Sequence, residues 1–369
     1  MDGDYDEGNI NIKYDVTIKG EGNATLCNST SFTVNTNNFT LKNMNINKLN
    51  VNTFINQDNG NLVVFNCIFN DNHVEKIING KHNIVSKSIF TNNGGVIVYN
   101  NGFTSINDSI LLNNTKIIEG NTNNVSLEYN WWGDALPNLN ISKYVTLNGT
   151  ASVYALENNQ TADVIFAFYL NNKKYLNLPN INLNITTLNG SSSENITLIN
   201  SKIVYKQTSF SNSFLIAEYN DFKINMSFEF LKSNPKISLV SYDIMYGEDL
   251  IVKIKIPKDS TGNVTVNIGN ISQNKVINST VVQFTFSNLK ANNYTLLVNY
   301  SGDKKYFAQE INYMVKVKKY KSTIALNISA IEVGEDINLT ITTTMTSTGN
   351  ITLYEGCSGM RVISRWMAP

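Results

Sequence analysis

Charged residues, proline and arginine are all scarce in this sequence. Charged residues make up 16% of the 369 residues, the 29 basic and 29 acidic side chains cancel, and no basic stretch is interleaved with aromatic residues. Nothing therefore supplies electrostatic attraction for nucleic acid, and we expect no nucleic-acid partner. No apolar run approaches the roughly 20 residues that span a bilayer, so we also expect no membrane segment in this chain.

Cysteine and histidine are equally rare. Cys27, Cys67 and Cys357 are far apart and lack the Cys-x-x-Cys spacing of a zinc site, so we interpret them as buried or incidental thiols. His73 and His82 are interpreted as solvated turn residues, because no catalytic motif accompanies them. The sequence predicts no metal centre built on these residues and no catalytic residue among them.

What the sequence does contain is asparagine, at about one residue in six, together with 42% hydrophobic and 10% aromatic residues. This apolar content is enough to build cores. The first residues, 1–7, are acidic where a secretory signal would be basic and then apolar. We therefore expect no export signal in this chain.

Between about residues 60 and 133 an apolar pattern recurs every 21 residues. The residues at equivalent positions include Ile68, Ile89 and Ile110. A repeat of this length, with short β-rich runs and no helical periodicity, is typical of a solenoid whose coils stack about 4.8 Å apart. We predict a parallel β-helix over residues 9–140. Turn asparagines such as Asn92 and Asn113 would form amide ladders, or else merely reflect a biased composition.

Two adjacent tryptophans, Trp131 and Trp132, coincide with the end of this repeat. Gly133 and Pro137 follow them. We predict that the two rings cover the end of the apolar stack and that the strand ladder stops there. A role in stacking against a ligand is the alternative interpretation.

A second repeat has a longer period. Gly247-Glu248-Asp249 recurs 87 residues later as Gly334-Glu335-Asp336. A strand-rich unit of this length is typical of an immunoglobulin-like sandwich. The modules that we predict are a divergent one at 145–236, one at 237–319 and an incomplete one at 322–355. The Gly-Glu-Asp segments and Asp303 are candidate calcium ligands, although exposed turn residues are the simpler interpretation. No other cofactor is predicted.

Three segments resemble the adhesin-like surface proteins of methanogenic archaea. Residues 129–133, Tyr-Asn-Trp-Trp-Gly, are similar to the signature that closes the β-helices of that family. Residues 247–266 resemble the opening strands of its repeats, and 289–306 resemble the late strands. The resemblance implies an all-β fold, a right-handed parallel β-helix of the pectate-lyase-like type followed by immunoglobulin-like β-sandwich modules. It also implies an extracellular, cell-surface protein.

The end of the chain departs from that family. By its period, the module that begins near 322 would extend past residue 369. Both arginines of the chain, Arg361 and Arg365, lie in residues 356–369. We interpret 356–369 as a foreign or frameshifted tail, expect 322–369 to pack poorly, and regard the chain as a fragment of a longer protein.

The resemblance implies a non-enzymatic protein that binds glycans or neighbouring cell surfaces through its β-helix, with the sandwiches as spacers. The alternative is a polysaccharide lyase or glycosidase, which needs an arginine base or close carboxylates. The β-helix region has no arginine, and its acids do not share one phase of the repeat. Those acids are Asp58, Asp71, Glu75, Asp108, Glu119 and Glu128. A non-functional gene remnant is the third interpretation.

Asn-x-Ser/Thr sequons number about twenty, roughly twice what composition alone produces. Strand alternation between Asn and Thr would inflate this number without any glycan. The candidate N-glycosylation sites include Asn23, Asn28, Asn107, Asn124, Asn263, Asn293 and Asn299.

Overall fold

The computed structural model describes residues 3–343, 351–354 and 361–364, and these residues form strands and turns with no helix. The predicted all-β fold class is confirmed. Consequently, the described residues include no helix with the length and apolar character needed to cross a membrane. The chain divides into two compact units, Met1–Leu231 and Lys232–Pro369.

The first unit opens with a parallel β-helix of three faces. Every strand pair within it is parallel, and each coil contributes one strand to each face. Its strands are β1 (Gly3–Tyr5), β2 (Asn9–Ile12), β3 (Val16–Lys19), β4 (Ala24–Asn28), β5 (Ser31–Val34), β6 (Asn38–Lys42), β7 (Asn45–Leu49), β8 (Thr53–Phe65), β9 (Ile68–Asn70), β10 (His73–Ser86), β11 (Ile89–Thr91), β12 (Gly94–Asn107), β13 (Ile110–Leu112), β14 (Lys116–Gly120), β15 (Val125–Ser126) and β16 (Asn130–Trp131).

Face 1 consists of β1, β4, β7, β9, β11, β13 and β16. Face 2 contains β2, β5 and β14, and face 3 contains β3, β6 and β15. The long strands β8, β10 and β12 bend, so that their first halves belong to face 2 and their second halves to face 3.

The 21-residue period is the stacking register of the coils. Ile68 pairs with Ile89, Ile89 with Ile110, and Ile110 with Trp131. Inside the coils, phenylalanines stack from one coil to the next, and the rings of Phe69 and Phe90 lie parallel with centroids 4.5 Å apart. Burying each such ring stabilises the stack by about 1.5–3 kcal/mol.

Asparagine is abundant partly because each of the two turns beside face 1 needs a residue in the left-handed backbone conformation. Asn and Asp tolerate a positive φ better than other residues with a side chain. Residues with a positive φ at the turn into face 1 are Asn43, Asn66, Lys87, Asp108 and Tyr129, and those at the turn out of it are Asn28, Lys48, Asp71, Asn92 and Asn113. The predicted ladder at this turn is confirmed, since Asn113 Nδ2 donates to Asn92 Oδ1 at 3.3 Å.

A second amide ladder is buried one position further along the chain. Asn72 Nδ2 donates to Asn93 Oδ1, and Asn93 Nδ2 donates to Asn114 Oδ1, both at 2.8 Å. The same amino groups donate to the backbone carbonyls of Ile46 and Phe69, each at 3.0 Å. Asn72 and Asn93 are almost fully buried. These amides satisfy backbone groups that the turn would otherwise leave unpaired inside the stack.

At the turn into face 1, serine hydroxyls accept hydrogen bonds from buried backbone N–H groups. The backbone N–H of Cys67 donates to Ser88 Oγ at 3.2 Å, and the N–H of Ser88 donates to Ser109 Oγ at 3.1 Å. The N–H of Ser109 donates to Asn130 Oδ1 at 2.9 Å. Successive coils are therefore joined by side chains at two of their turns.

A β-sandwich follows within the same unit. Its strands are β17 (Tyr144–Ala151), β18 (Ala155–Leu156), β19 (Thr161–Leu170), β20 (Lys173–Lys174), β21 (Asn182–Leu188), β22 (Gly190–Ser192), β23 (Ile196–Leu198), β24 (Lys202–Gln207), β25 (Ser213–Tyr219) and β26 (Phe222–Phe230). One sheet has the order β17-β19-β24-β22, and the other has the order β18-β26-β25-β21-β23. The parallel pair β18-β26 is the only parallel pair described between strands of this sandwich.

The prediction that the strand ladder stops after the tryptophans is wrong for face 1. Asn130 and Trp131 pair in parallel with Tyr144 and Val145, so face 1 continues directly into the sandwich. The physical reason is that the outer side of face 1 is itself apolar here. Its side chains Ile89, Ile110 and Leu112 are buried in the core of the sandwich.

The second unit contains a sandwich with the strand pairing of an immunoglobulin-like module. Its strands are β27 (Ser238–Val240), β28 (Ile244–Met245), β29 (Leu250–Lys255), β30 (Asn263–Ile268), β31 (Ile271–Val276), β32 (Val281–Phe286), β33 (Asn293–Tyr300) and β34 (Gln309–Lys318). Sheets β27-β29-β32 and β28-β34-β33-β30-β31 enclose a core that includes Phe284, Phe286 and Val298. The predicted class, a β-helix followed by immunoglobulin-like sandwiches, is confirmed.

The repeated Gly-Glu-Asp segments form the same turn twice. Gly247 and Gly334 have φ values of 92° and 100°, and Glu248 N–H donates to Met245 O at 3.1 Å. The Glu248 carboxylate also accepts the N–H of Met245 at 2.7 Å. Turn formation accounts for this part of the repeat.

The remaining described strands form two short antiparallel pairs. They are β35 (Ile324–Ile328) with β36 (Leu339–Thr343), and β37 (Ile351–Tyr354) with β38 (Arg361–Ser364). Apolar side chains of the first pair, including Ile324, are exposed. Cys357 and most of the tail at 356–369 lie outside the described residues.

We predict that Asn93→Ala lowers the free energy of unfolding of the first unit by about 2–4 kcal/mol, because it leaves buried polar partners unpaired in two coils. Urea unfolding measures the change. Asn101→Ala is the matched control, since Asn101 is exposed and donates only to Asn79 at 2.9 Å. We expect the control to change stability by less than about 0.5 kcal/mol. Equal effects of the two variants would contradict the ladder's role.

Asp303 in the second unit gives a pH-dependent prediction. Burial acts to raise the pKa of Asp303, but the N–H groups of Thr261, Tyr306 and Lys305 outweigh it, and the pKa is lowered from 3.8. A lowered pKa stabilises the folded state above the unfolded pKa, and this stabilisation is lost as the pH falls through the folded pKa. Asp303→Asn should therefore cost about 1–3 kcal/mol at pH 7 and progressively less below pH 3.8.

Hydrogen exchange of the β30 and β33 amides at several pH values measures this difference. Glu310→Gln is the control, because Glu310 is exposed in the same sandwich. A cost for Asp303→Asn that stays constant from pH 7 to well below 3.8 would refute the assignment.

Candidate binding face

The three outer faces of the β-helix differ in what covers them. The outer side of face 1 is buried under the sandwich at its later coils. Face 2 carries polar residues outside: Asn79 Nδ2 donates to Asn56 Oδ1 at 2.5 Å, and the Lys76 ammonium lies 4.3 Å from the ring centre of Tyr99. Face 3 alone combines exposed apolar rings with amides.

Nine outward residues of β8, β10 and β12 form a three-by-three array, which we call the third-face grid. Strand pairing aligns one residue from each strand in every row. The rows are Asn61-His82-Phe103, Val63-Ile84-Ser105 and Phe65-Ser86-Asn107. Adjacent strands are about 4.8 Å apart and each residue rises about 3.3 Å, so the grid measures roughly 10 by 13 Å.

The apolar members of the grid are accessible. Phe65 is 38% exposed, Ile84 is 36% exposed and Phe103 is 39% exposed. The rings of His82 and Phe103 meet edge to face, with centroids 4.9 Å apart and planes at 81°. Each row of the grid therefore has one exposed apolar side chain.

Amides and hydroxyls surround these rings. Asn61 Nδ2 donates to Asn38 Oδ1 at 3.1 Å, which fixes the amide at one edge of the grid. Ser86, Ser105 and Asn107 line the other side, and the grid has no Asp, Glu, Lys or Arg. An amide offers both donors and acceptors, as does a sugar hydroxyl. The grid can therefore bind a neutral ligand that has both an apolar side and hydroxyl groups.

Sequence analysis missed this site and misplaced His82. The interpretation of His82 as a solvated turn residue is wrong, because it lies within β10, is half-buried and packs against Phe103. The signal was present in the repeat, since Phe103 follows His82 by one period of 21 residues. His73 is the first residue of β10, and its Nε2 lies 3.4 Å from Asp71 Oδ1.

Four of the six acids considered for catalysis, Asp71, Asp108, Glu119 and Glu128, have polar side-chain partners. Asp108 accepts a hydrogen bond from the Tyr175 hydroxyl, and Glu119 pairs with Lys116 at 3.0 Å. Burial acts to raise the pKa of Glu128, but hydrogen bonds from Ser142 and Lys143 outweigh it and lower the pKa. The carboxylates of Asp108, Glu119 and Glu128 therefore make local structural contacts.

The two tryptophans are buried on opposite sides of the same strand end. Trp132 belongs to the core of the β-helix, and Trp131 belongs to the core of the sandwich. The Trp131 ring packs edge to face on Phe222 at 5.0 Å and lies 5.2 Å from Phe168. Both rings are more than nine-tenths buried, which makes them parts of the two cores and not a platform for a ligand.

The described cysteines are buried thiols. Cys67 is 1% exposed, and burial raises its pKa to about 12. A thiol with so high a pKa is unreactive at neutral pH. Across the described residues, no group of three His, Cys, Asp or Glu side chains comes together to hold a metal ion.

The candidate glycosylation sites differ in exposure. Five are exposed and two, Asn107 and Asn299, are half-buried. The exposed ones are Asn23, Asn28, Asn124, Asn263 and Asn293. In the Asn107 sequon the Ser109 hydroxyl is fully buried and donates to Asn107 O at 2.8 Å. Of the seven sites, Asn107 is therefore the least suited to modification after folding.

The tryptophans give a paired prediction. Trp131→Ala should lower the hydrogen-exchange protection of β19 and β24, whereas Trp132→Ala should lower that of β11 and β13. Removing a buried Trp ring costs about 3–5 kcal/mol, and each ring belongs to a different core. Loss of protection in the same strands by both variants would contradict this division.

No protein-family model and no curated protein matches this chain. Solved structures similar to it include domains from titin, at 10% identity and a TM-score of 0.32, covering 56% of this chain and 77% of that chain. Fibronectin(III)-like modules of CbhA from Clostridium thermocellum match at 9% identity and a TM-score of 0.21, and the match covers 47% of this chain and 94% of that chain. Sidekick-1 immunoglobulin domains 1–5 match at 9% identity and a TM-score of 0.22, and the match covers 49% of this chain and 40% of that chain. At these TM-scores the similarity assigns no family, and the fold class rests on the strand pairing described above.

Proposed function

We propose that this chain is a non-enzymatic, adhesin-like protein of the cell surface that binds glycans through the third-face grid. The observation that carries the proposal is the grid itself. It places exposed Phe65 and Phe103 among amides and hydroxyls in an array of nine residues that contains no Asp, Glu, Lys or Arg.

The chemistry of the grid favours a sugar over other ligands. A sugar ring has an apolar side that stacks on an aromatic ring, and its hydroxyls pair with the amide of Asn61 and with hydroxyls such as that of Ser105. The grid is flat and not a closed pocket, so each contact is weak. Useful affinity then comes from several sites engaged together on one surface, as adhesion requires.

The sandwiches suit the role of spacers in this proposal. Each sandwich has an apolar core, which includes Phe166 in the first unit and Phe284 in the second. The resemblance to adhesin-like surface proteins agrees with this division of labour. An extracellular location and N-glycosylation belong to the same proposal, and the intact mass of protein from its native host tests the glycans.

We predict that the double variant Phe65→Ser/Phe103→Ser weakens binding to immobilised neutral oligosaccharides about 5- to 150-fold. Loss of two aromatic contacts of about 0.5–1.5 kcal/mol each accounts for this factor. Ser105→Lys should have a similar effect, because it adds a charge beside Ile84 in the middle row of the grid without removing a buried side chain. Binding is measured on a glycan array.

The matched control is Ile251→Ser/Ile271→Ser, which removes side chains of similar exposure, 45% and 42%, from the second unit. We expect this control to bind like the unaltered chain. Unchanged glycan binding by both grid variants would contradict the proposal. Release of reducing or unsaturated sugar ends from any polysaccharide in a broad panel would favour the enzymatic alternative instead.

A further inference from the structure

A cleft of about 530 Å³ opens in the sandwich of the first unit, between β17 and β26. Over residues 146–151, β17 pairs only with β19, and over residues 224–227, β26 pairs only with β25. The cleft therefore lies where the two sheets present unpaired edges to each other. Its lining includes Asn148, Gly149, Tyr154, Asn172, Asn225 and Met226.

The floor of the cleft lies at Gly149, whose lack of a side chain lets Met226 and Phe166 pack directly against the backbone. By strand alternation, position 149 faces the core between the buried Leu147 and the half-buried Ala151. A Cβ atom at Gly149 would lie 2.5 Å from Met226 Sδ and 2.7 Å from the Phe166 ring, closer than packed atoms allow. The floor is thus apolar and closely packed.

The walls have unused hydrogen-bonding capacity. The side chains of Asn148, Asn172 and Asn225 are exposed and form no hydrogen bond with any described residue. The amide ladders of the β-helix differ, because their groups pair with one another. No lining residue is charged. Three free amides around one cleft can donate to and accept from a neutral polar ligand.

One aromatic wall is held in position. The Tyr154 hydroxyl accepts the N–H of Ala151 at 3.1 Å, and its ring stacks on Phe228 with centroids 6.0 Å apart. Half of the Tyr154 side chain remains exposed. A fixed, half-exposed ring beside free amides meets the needs of a ligand with an apolar side and several hydroxyls.

We propose that this cleft is a second saccharide site, which binds one or two rings of a neutral sugar. The ring stacks against Tyr154, and its hydroxyls pair with the amides of Asn148, Asn172 and Asn225. The volume lies within the range of about 300–1,000 Å³ that is typical of small-molecule sites. This site does not depend on the third-face grid, since it shares no residue with it.

The test is saturation-transfer NMR of the whole chain with cellobiose, lactose, maltose and N,N′-diacetylchitobiose, followed by titration of any sugar that receives signal. We expect at least one sugar to bind. The double variant Asn148→Ala/Asn225→Ala should weaken its binding about tenfold, as loss of two neutral hydrogen bonds predicts. Asn182→Ala is the control, because Asn182 is an exposed strand residue of the same sandwich outside the cleft.

The grid variant Phe65→Ser/Phe103→Ser separates the two sites. It should leave binding at the cleft unchanged, whatever it does to binding on the glycan array. The cleft proposal would be overturned if every sugar of the panel had a dissociation constant weaker than about 10 mM. Equal binding by the unaltered chain and the Asn148→Ala/Asn225→Ala variant would overturn it as well.

Discussion

Pairing of buried turn groups between coils is the interaction on which the rest of the first unit depends. A β-helix encloses its turns as well as its strands, so the polar groups at each turn must find partners inside the stack. Asn72 and Asn93 supply those partners on one side of face 1, and Ser109 and Asn130 supply them on the other. Each of these bonds joins residues of adjacent coils, and together they fix the register.

A fixed register decides what the outer surface can do. Side chains alternate between core and solvent along each strand, and a slip by one residue would exchange them. In the register observed, Phe69 and Phe90 stack inside while Phe65 and Phe103 face outward. The same alignment brings amides beside those exposed rings. The third-face grid is therefore a product of the coil stacking and not of any local motif.

The way in which the β-helix ends follows the same logic. Uncapped strands would expose unpaired backbone groups and an apolar core. Trp132 fills the inner side of the last coil, while Trp131, in the next position, enters the core of the sandwich. The continuation of face 1 into β17 pairs the backbone of β16. One dipeptide thus serves two cores, because adjacent residues of a strand point to opposite sides.

The sequence by itself determined the all-β class, the 21-residue coil and the immunoglobulin-like period, because repetition reports local geometry directly. Only the tertiary structure decided which residues meet across coils and sheets. The bends that divide β8, β10 and β12 between two faces, and thereby turn His82 and Phe103 outward, leave no local signature. Long-range packing likewise buried the outer side of face 1 and placed the cleft between β17 and β26, since both depend on strands distant in the chain.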